Sequence, residues 1–350
     1  MSRATGAAGR GAEIRVADPS RLAGFRLRRF RGPEDHPGMV RANMAARLSQ
    51  GIVEPVTVDG MANMYANLPN CDVDRDVIIG DVDGEIVAYG RVEWGDNTDG
   101  ARDYTTICVV DPAVRGHGIG RAMLHWLEDR ANEIAAGQST HRPRYYASSA
   151  WDRDEGGHAL LLEEGYQPIR RSAEMLRPDL DDLPEVVPPD GLALRAGSAL
   201  QSRVVWEATV EVFRDHWGTI EDSPAGYAEF LGAPAFDPSL WVVAWDGDKV
   251  AGVILASLHE DPTAGGVLGY LDSLGVRRPW RRRGVGRALM SAALGVLRTR
   301  GATRAGLAVD LENEHDAARF YESLGFRVLT TSTEYRKAMA LRESHSRARR

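Results

Sequence analysis

The chain has little cysteine, no long apolar run and no excess of basic residues. Its two cysteines, Cys71 and Cys108, form no C-x-x-C pair, which suits a reducing compartment and offers no framework for a metal. No apolar run approaches the roughly 20 residues that span a bilayer, and residues 1–13 lack the apolar core of a signal peptide. We therefore expect a soluble, cytoplasmic protein without a metal site and without a membrane partner.

The charge balance narrows the class of protein further. A formal net charge of −7 and a pI near 5.8 argue against a general nucleic-acid-binding protein. Arginines cluster locally at 277–287 instead, which indicates either a ligand site or a solvated basic face. With 350 residues and 43% hydrophobic content, the chain is long enough for two globular cores.

One short pattern occurs twice in the chain. The sequence RGHGIGRAML occupies 115–124 and RRRGVGRALM occupies 281–290, and five of the ten positions are identical. The register of 166 residues that joins the two patterns also carries Val110 onto Val276. We interpret the chain as a tandem repeat of a single module.

A glycine-rich turn that opens a helix directs free backbone N–H groups and the positive end of the helix dipole toward one point. Phosphate is the expected ligand at such a point. Neither turn has the lysine and hydroxyl residue of a P-loop. A dinucleotide-binding fold would place the turn after its first strand, whereas here the turn follows the fourth. Neither of these two nucleotide motifs fits.

Side-chain alternation and turn signals predict the same elements in each copy. They are a first strand (25–30; 192–195), a hairpin with an Asp-Gly turn (77–94; 241–258), a fourth strand (103–110; 269–276), a helix (121–136; 287–300) and a fifth strand (145–150; 304–310). We divide the chain into a flexible leader (1–13), an N-terminal domain (14–178), a proline-rich linker (179–190), a C-terminal domain (191–341) and a flexible tail (342–350).

In this strand order, the two turns resemble the Arg/Gln-x-x-Gly-x-Gly/Ala signature of the GNAT superfamily of acyl-CoA N-acyltransferases. The matching residues are Arg115, Gly118 and Gly120, then Arg281, Gly284 and Gly286. The second copy also has the family's Asn-led helix with a tyrosine before Leu-Gly-Phe, at 313–326, and is most similar to mycothiol synthase-like members. The resemblance implies an α/β fold with two GNAT-like domains, each a mixed, largely antiparallel sheet flanked by helices.

The resemblance implies acetyl-CoA as the cofactor and assigns its contacts in both copies. A bulge in the fourth strand is expected to free main-chain groups for the cofactor, and Asn313 is expected both to contact it and to cap the next helix. The assigned residues of the second copy are Leu274, Val276, Arg281, Arg282, Arg283, Gly284, Val285, Gly286, Arg287 and Asn313, and those of the first are Val110, Arg115, Gly116, Gly118, Ile119 and Gly120.

The two copies differ where the resemblance places catalytic groups. The family's usual proton donor to the leaving thiolate corresponds to Tyr321, and the first copy has Leu161 at that place. Asp272 is the candidate general base or an orienter of the incoming ammonium, and the first copy has Thr106 opposite it. We expect the C-terminal domain to be catalytic. The structural alternatives are a core role for Tyr321 and a backbone-capping role for Asp272.

Two details of the base stay open. Strand alternation predicts that Asp272 shares a face with Leu274 and Val276. The family's more frequent base position lies two residues earlier, at Tyr270, which is not a carboxylate.

The acceptor pocket is expected to come from residues 196–240, where Asp215, His216 and Trp217 form an aromatic and titratable cluster suited to a cationic amine. A small-molecule amine is the preferred acceptor, and a protein or peptide amine is the alternative. The competing class is a non-enzymatic acyl-CoA-binding regulatory module. For the first domain we expect either acyl-CoA binding without turnover or a weak second active site, and for the protein a monomer or homodimer.

Overall fold

The computed structural model describes residues 9–16, 20–183, 185–214, 216–218, 222–313 and 316–340. Within these ranges the helices are α1 (His36–Gln50), α2 (Val58–Asn67), α3 (Val73–Asp76), α4 (Ile119–Ala136), α5 (Glu155–Glu163), α6 (Ser202–Phe213), α7 (Pro224–Gly232), α8 (Val285–Thr299) and α9 (Ala317–Glu322). The strands are β1 (Glu13–Ile14), β2 (Phe25–Arg29), β3 (Val77–Val82), β4 (Glu85–Asp96), β5 (Arg102–Val110), β6 (Arg144–Trp151), β7 (Gln167–Arg177), β8 (Ala193–Ala196), β9 (Val242–Asp246), β10 (Lys249–Glu260), β11 (Val267–Val276), β12 (Ala302–Asp310) and β13 (Arg327–Ala338).

The described strands form one continuous sheet in the order β1-β2-β3-β4-β5-β6-β13-β7-β12-β11-β10-β9-β8. Neighbouring strands are antiparallel except for β5 with β6 and β11 with β12, which are parallel. We call β1–β6 with their helices the first module, and β8–β12 with their helices the second module. The expected mixed α/β class with a largely antiparallel sheet is confirmed.

The last strand of each copy is exchanged between the modules. Strand β7 follows the first module in sequence but pairs with β12 of the second. Strand β13 ends the second copy but pairs with β6 of the first, and β7 and β13 also pair with each other. The sequence boundaries at 178 and 191 therefore do not coincide with a division of the sheet.

Helices cover both faces of each half of the sheet. In the second module, α8 buries Leu289, Met290 and Leu294 completely in the core, and α6 lies on the opposite face, where Val212 contacts Gly275. The linker is not detached from this core, because Leu180 is only 2% exposed and packs within it. The amphipathic helices predicted after the two turns are confirmed as α4 and α8.

The sequence reading was less accurate at turns and ends. The first hairpin turns at Asp83 and Gly84, both with positive φ as a two-residue hairpin of this type requires. In the second hairpin Asp246 pairs with Lys249, so the turn is one residue later than predicted, at 247–248. The terminal strands β7 and β13 were not predicted, and Glu13 of the expected leader pairs in the sheet as part of β1.

Candidate active site

Strands β11 and β12 form a fork. Their parallel pairing covers only Val267–Tyr270 and Ala302–Gly306. Beyond this point, 271–276 keeps β10 as a neighbour on one side and has no strand on the other among the described residues. The fork therefore leaves one backbone edge of β11 available to a ligand.

Main-chain donors of β11 point into this fork. The N–H of Arg277 donates to the carbonyl of Ala251 on β10 at 3.0 Å. Because N–H directions alternate along a strand, the N–H groups of Val276 and Leu274 face the opposite edge. The geometry is the one expected for main-chain contacts with an extended pantetheine arm, and the contacts themselves stay a prediction.

Asp272 is the extra residue of a β-bulge. Leu255 and Ala256 are consecutive on β10, but their partners on β11 are Ser273 and Leu271. One residue of β11 is thus left without a partner on β10. The bulge that the family resemblance implied is present in this module.

The bulge changes the face on which Asp272 lies. Its carboxyl accepts a hydrogen bond from Ser257, the direct cross-strand partner of Tyr270. Val276 instead lies on the α8 side, near Gly286. Asp272 therefore does not share the face of Val276 as predicted, because simple alternation does not hold across a bulge.

A chain of polar groups leads away from Asp272. The Ser257 hydroxyl lies 3.1 Å from Asp272 Oδ1 and 2.8 Å from His259 Nε2. A serine hydroxyl has one proton, so when it donates to Asp272 it accepts from the imidazole N–H. Ser257 thus connects the carboxylate to a half-buried histidine, an arrangement that can pass a proton between them.

The protonation states in this chain suit a base near neutral pH. Asp272 is reached by solvent through the cleft, but the surrounding protein reduces the hydration of its carboxyl and raises its pKa to about 7, with a further contribution from the charge of Glu54. The hydrogen bond from Ser257 opposes this rise in pKa. Burial lowers the pKa of His259, so its imidazole is neutral at pH 7.

Tyr321 lies on α9 with its ring against Phe320 and Phe326, at centroid distances of 5.3 and 6.0 Å. Its hydroxyl has no hydrogen-bond partner in the described part of the chain. Burial raises the pKa of the phenol to about 12, so the group remains protonated and able to donate. The proposed role as proton donor stays a prediction.

The glycine-rich turn opens α8. Gly284 is the N-cap residue with a φ of 82°, and no side chain caps the helix. A Cβ placed on Gly286 would lie 3.8 Å from Val276 and 3.9 Å from the Phe320 ring, so β11, α8 and α9 converge at this point. Exposed helix N–H groups beside the open strand edge fit the phosphates and arm of CoA. The first-turn residues that offer them are Val285, Gly286 and Arg287.

The arginines around the turn bind mostly neutral partners among the described residues. Arg281 donates from Nε to the Val276 carbonyl at 2.9 Å, Arg283 lies 3.4 Å from the carbonyl of Asp190, and Arg287 donates to the Ser323 hydroxyl at 2.9 Å. These contacts leave their positive charge uncompensated, which favours a phosphate ligand.

Arg282 has an unusual backbone conformation for its residue type. Its φ is 60°, and the equivalent residue of the first turn is Gly116, with a φ of 83°. A side chain in the left-handed region costs on the order of 1 kcal/mol. The sequence reading did not notice this, although an arginine opposite a glycine in the repeat was the available signal.

Asn313 does not cap the following helix. Helix α9 begins at Ala317, with Asp316 as its N-cap residue. Asn313 lies in the turn after β12, where its carbonyl accepts the N–H of Asp316 at 3.1 Å. The predicted cap is wrong because the helix starts later than its Asn-led motif indicated, whereas the contact with the cofactor stays a prediction.

The first module also lines the cleft of the second. Val53 lies 3.5 Å from the position of a Cβ on Gly306, beside the Tyr270 ring. Glu54 forms an ion pair of 2.5 Å with Arg47 at the end of α1. Its negative charge acts on Asp272 across the module boundary. No signal in the sequence places the segment 47–54 beside the other copy.

The predicted acceptor residues lie elsewhere. The Trp217 indole N–H donates to Asp99 at 3.3 Å, and its ring is 5.3 Å from the guanidinium groups of both Arg170 and Arg336. The carbonyl of His216 accepts from the Thr98 hydroxyl at 2.9 Å. Both residues thus contact the first module, because the loop after α6 crosses to it. Asp215 is outside the described residues, and acceptor binding by this cluster stays a prediction.

The first module lacks the features of the second at the equivalent fork. Strands β4 and β5 pair in one unbroken register. Thr106 is buried and donates to the Ala147 carbonyl at 3.2 Å, and Ser148 donates to the Thr106 carbonyl at 3.0 Å. These bonds tie β5 to β6, and the buried Leu161 offers no proton.

The first turn keeps its backbone shape but differs in charge. Gly116 and Gly118 both have a φ of 83°, and Ile119 and Gly120 begin α4 next to the end of β5 at Val110. Arg115 lies 3.6 Å from Asp154, and Arg121 pairs with Glu163 and Glu164. These carboxylates compensate the arginines that would hold a phosphate.

Two further findings concern ions and membranes. Among the residues whose structure is described, no group of three or more His, Cys, Asp or Glu side chains is arranged to hold a metal ion. In the same part of the chain, no helix is long and apolar enough to cross a bilayer.

Comparison with known proteins agrees with this geometry. A sequence model of the Acetyltransferase (GNAT) family matches residues 52–165 and 204–326. Mycothiol acetyltransferase of Geodermatophilus obscurus is 30% identical over 278 residues, covering 75% of this chain and 82% of its own length. The protein of the same name from Thermomonospora curvata is 32% identical over 253 residues, covering 70% and 76%.

Solved structures show the same tandem arrangement. A GCN5-related N-acetyltransferase from Sphaerobacter thermophilus superposes with a TM-score of 0.67 and 25% identity, covering 91% of this chain and 96% of that one. A tandem GNAT protein from the clavulanic acid biosynthesis pathway, 17% identical, shares the fold with a TM-score of 0.65, covering 90% and 98%. Two family matches in one chain, together with the two glycine-rich turns and the fork, lead to one conclusion: the chain belongs to the GNAT family and is a tandem-domain acetyltransferase.

Proposed function

We propose that the second module transfers the acetyl group of acetyl-CoA to a primary amine of a small molecule. The observation that carries the proposal is the bulge at Asp272, which directs a carboxyl with a near-neutral pKa into the cleft beside the open fork. The first module has an unbroken ladder at the same place. Membership of the GNAT family, whose enzymes use acetyl-CoA, supports the donor.

The residues divide the chemistry as follows. Bound acetyl-CoA supplies an activated thioester. Asp272 accepts the proton of the incoming ammonium, directly or through a water, so that the nitrogen can form the new C–N bond. The main-chain N–H groups of Leu274 and Val276 hydrogen-bond along the fork, and Tyr321 donates a proton to the sulfur as the C–S bond breaks. The products are an amide and the free thiol of CoA.

Two observations support a small cationic acceptor. The carboxylates of Asp272 and Glu54 bring negative charge to the cleft, which favours an ammonium group. The first module's segment 47–54 covers one side of the cleft, which leaves less room for a protein or peptide chain. The name of the mycothiol acetyltransferase relatives also points to a small molecule. A protein or peptide amine remains the second candidate, since an exposed lysine also carries an ammonium group.

We infer that the first module does not catalyse transfer. Thr106 and Leu161 replace the two catalytic groups, and the tie between Thr106 and Ser148 closes the place where the second module opens. Its glycine-rich turn keeps the backbone shape of an acyl-CoA site, so binding without turnover is the role left to it.

The test uses acetyl-CoA with a panel of primary amines, such as glucosamine, spermidine and lysine, and measures the release of CoA thiol. Asp272→Asn and Tyr321→Phe should each lower kcat by about 100-fold or more, with the KM for acetyl-CoA changed less than about twofold. The matched first-module variants Thr106→Val and Leu161→Met should retain the wild-type kcat. Normal turnover in both second-module variants would show that the chemistry lies elsewhere.

A further inference from the structure

The strand exchange brings a buried carboxyl into the second module. Glu174 lies on β7, which comes from the first copy and pairs with β12. Its side chain belongs to a residue only 2% exposed, and Oε2 accepts a hydrogen bond from the Tyr270 hydroxyl at 3.2 Å. The other oxygen, Oε1, has no hydrogen-bond partner in the described ranges. A buried carboxyl with one unused oxygen is costly, so its retention calls for a role.

The groups around Glu174 come from three elements. Burial, followed by the charge of Glu54, raises the pKa of Glu174 to about 7, and the Tyr270 hydrogen bond and the Arg47 charge oppose the rise. Burial and the two carboxylates raise the pKa of Tyr270, so its phenol keeps its proton. The His259 ring lies 6.5 Å from the Tyr270 ring, edge to face. Tyr270 is therefore the donor in the pair, and Glu174 is the acceptor.

We propose that Glu174 is a positioning residue for the amine acceptor of the second module and acts through Tyr270. By accepting the only proton of the phenol, it turns the lone pairs of the Tyr270 oxygen toward the cleft that contains Asp272. There the oxygen accepts a hydrogen bond from the acceptor's ammonium group. This inference rests on the proposed function of the second module.

The physical reason is the single proton of a phenol. Without Glu174 the Tyr270 O–H is free to rotate into the cleft, where it would present a donor to an ammonium that also only donates. Because Tyr270 and Ser257 are direct cross-strand partners, and Ser257 bonds to Asp272, the phenol and the candidate base share one side of β11. An oriented phenol beside Asp272 can hold the amine where its proton is removed.

The repeat supplies a matched control. Glu334 on β13 occupies the place of Glu174, 160 residues later, and burial raises its pKa to about 7 as well. The last parallel pair of the fork is Tyr270 with Gly306 in the second module and Thr105 with Ala147 in the first. Glu334 thus faces a module with no phenol at the position of Tyr270. The two carboxyls are similar in burial and differ in the partner that the proposal needs.

A double-mutant cycle tests the coupling, with the amine of the panel that the wild type acetylates fastest. Glu174→Leu should raise the KM for the amine about tenfold, and Glu174→Gln, which keeps an acceptor, only about twofold to threefold. In the Tyr270→Phe background, Glu174→Leu should add nothing. Glu334→Leu should leave the amine KM within about twofold of wild type. Additive effects of Glu174→Leu and Tyr270→Phe, or an equal effect of Glu334→Leu, would overturn the proposal.

A second readout does not depend on turnover. With tyrosine labelled with ¹³C at Cζ, the Tyr270 resonance is identified by its loss in Tyr270→Phe. Glu174→Leu should shift this resonance and lower the pH at which it titrates, whereas Glu334→Leu should not. An unmoved Tyr270 resonance overturns the positioning role. If the wild type acetylates no amine, the proposed function fails, and the resonance still decides whether Glu174 orients the phenol.

Discussion

Ser257 and Asp272 are joined by a hydrogen bond of 3.1 Å across the bulge of β11, and the same hydroxyl lies 2.8 Å from His259. The bond stabilises the ionised carboxylate and so opposes the rise in the pKa of Asp272 that burial causes. The serine thus has two effects on the candidate base: it holds the carboxyl in place, and it keeps its pKa near neutrality.

Ser257→Ala should raise the pKa of Asp272, because a donor to the charged form is lost. We expect kcat/KM at pH 7 to fall about tenfold, with the ascending limb of the pH profile moved to higher pH. Ser257→Thr keeps the hydroxyl and should retain the wild-type limb. An unchanged limb in Ser257→Ala would contradict the link between the two residues.

The pH dependence of wild-type kcat/KM should report Asp272 itself. Its pKa in the folded protein is about 7, so the fraction of ionised base rises with pH and kcat/KM should rise with it, levelling above about pH 8. Below pH 6 the slope of the logarithmic profile should approach one. Asp272→Asn should remove this limb. A wild-type profile that is flat from pH 5.5 to 8 is the opposite result.

Arg282 and Gly116 allow a reciprocal test of backbone strain against ligand binding. Both residues have positive φ at equivalent places in the two turns. Arg282→Gly should stabilise the protein by about 1 kcal/mol and weaken acetyl-CoA binding, because strain and a positive charge are removed together. Gly116→Arg should destabilise by a similar amount. Thermal unfolding and calorimetric titration measure the two effects, and an Arg282→Gly variant that is no more stable would argue against strain at this turn.

The exchanged strands should make the two modules unfold together. Residues 332–338 of β13 pair with β6, and 172–177 of β7 pair with β12. A protease site inserted at Val187, which is 66% exposed, allows the linker to be cut. We expect the two fragments to elute together and to melt in one calorimetric transition. Separate elution or two transitions would show that the exchange contributes little to stability.

Much of each module was predictable because its signals are local. The hairpin at Asp83-Gly84 and the helices after the two turns depend on residues a few positions apart, and the structure has them where they were expected. The repeat itself identified the phosphate-binding turns. The register of 166 residues also distinguished the copy with Asp272 from the copy with Thr106.

The missing parts depend on contacts between distant segments. Nothing local in β7 or β13 indicates that each strand completes the other module. The same is true of Glu54, which belongs to the first copy and acts on Asp272 in the second. The acceptor cluster at His216 and Trp217 was assigned to the wrong neighbourhood for this reason, since the loop that carries it crosses to the first module. The face of Asp272 was mispredicted because a single extra residue in a strand leaves no mark on the alternation around it.

The most direct test of the central claim compares Gly284→Glu with Gly118→Glu. The two glycines have φ values of 82° and 83°, so the backbone strain of the substitution is matched and the added carboxylate repels phosphate equally at both turns. Acetyl transfer to the amine and the stoichiometry of acetyl-CoA binding are measured for each variant. We predict that Gly284→Glu abolishes transfer and removes one binding site, whereas Gly118→Glu leaves transfer intact. Loss of transfer in Gly118→Glu, with normal activity in Gly284→Glu, would contradict the assignment of catalysis to the second module.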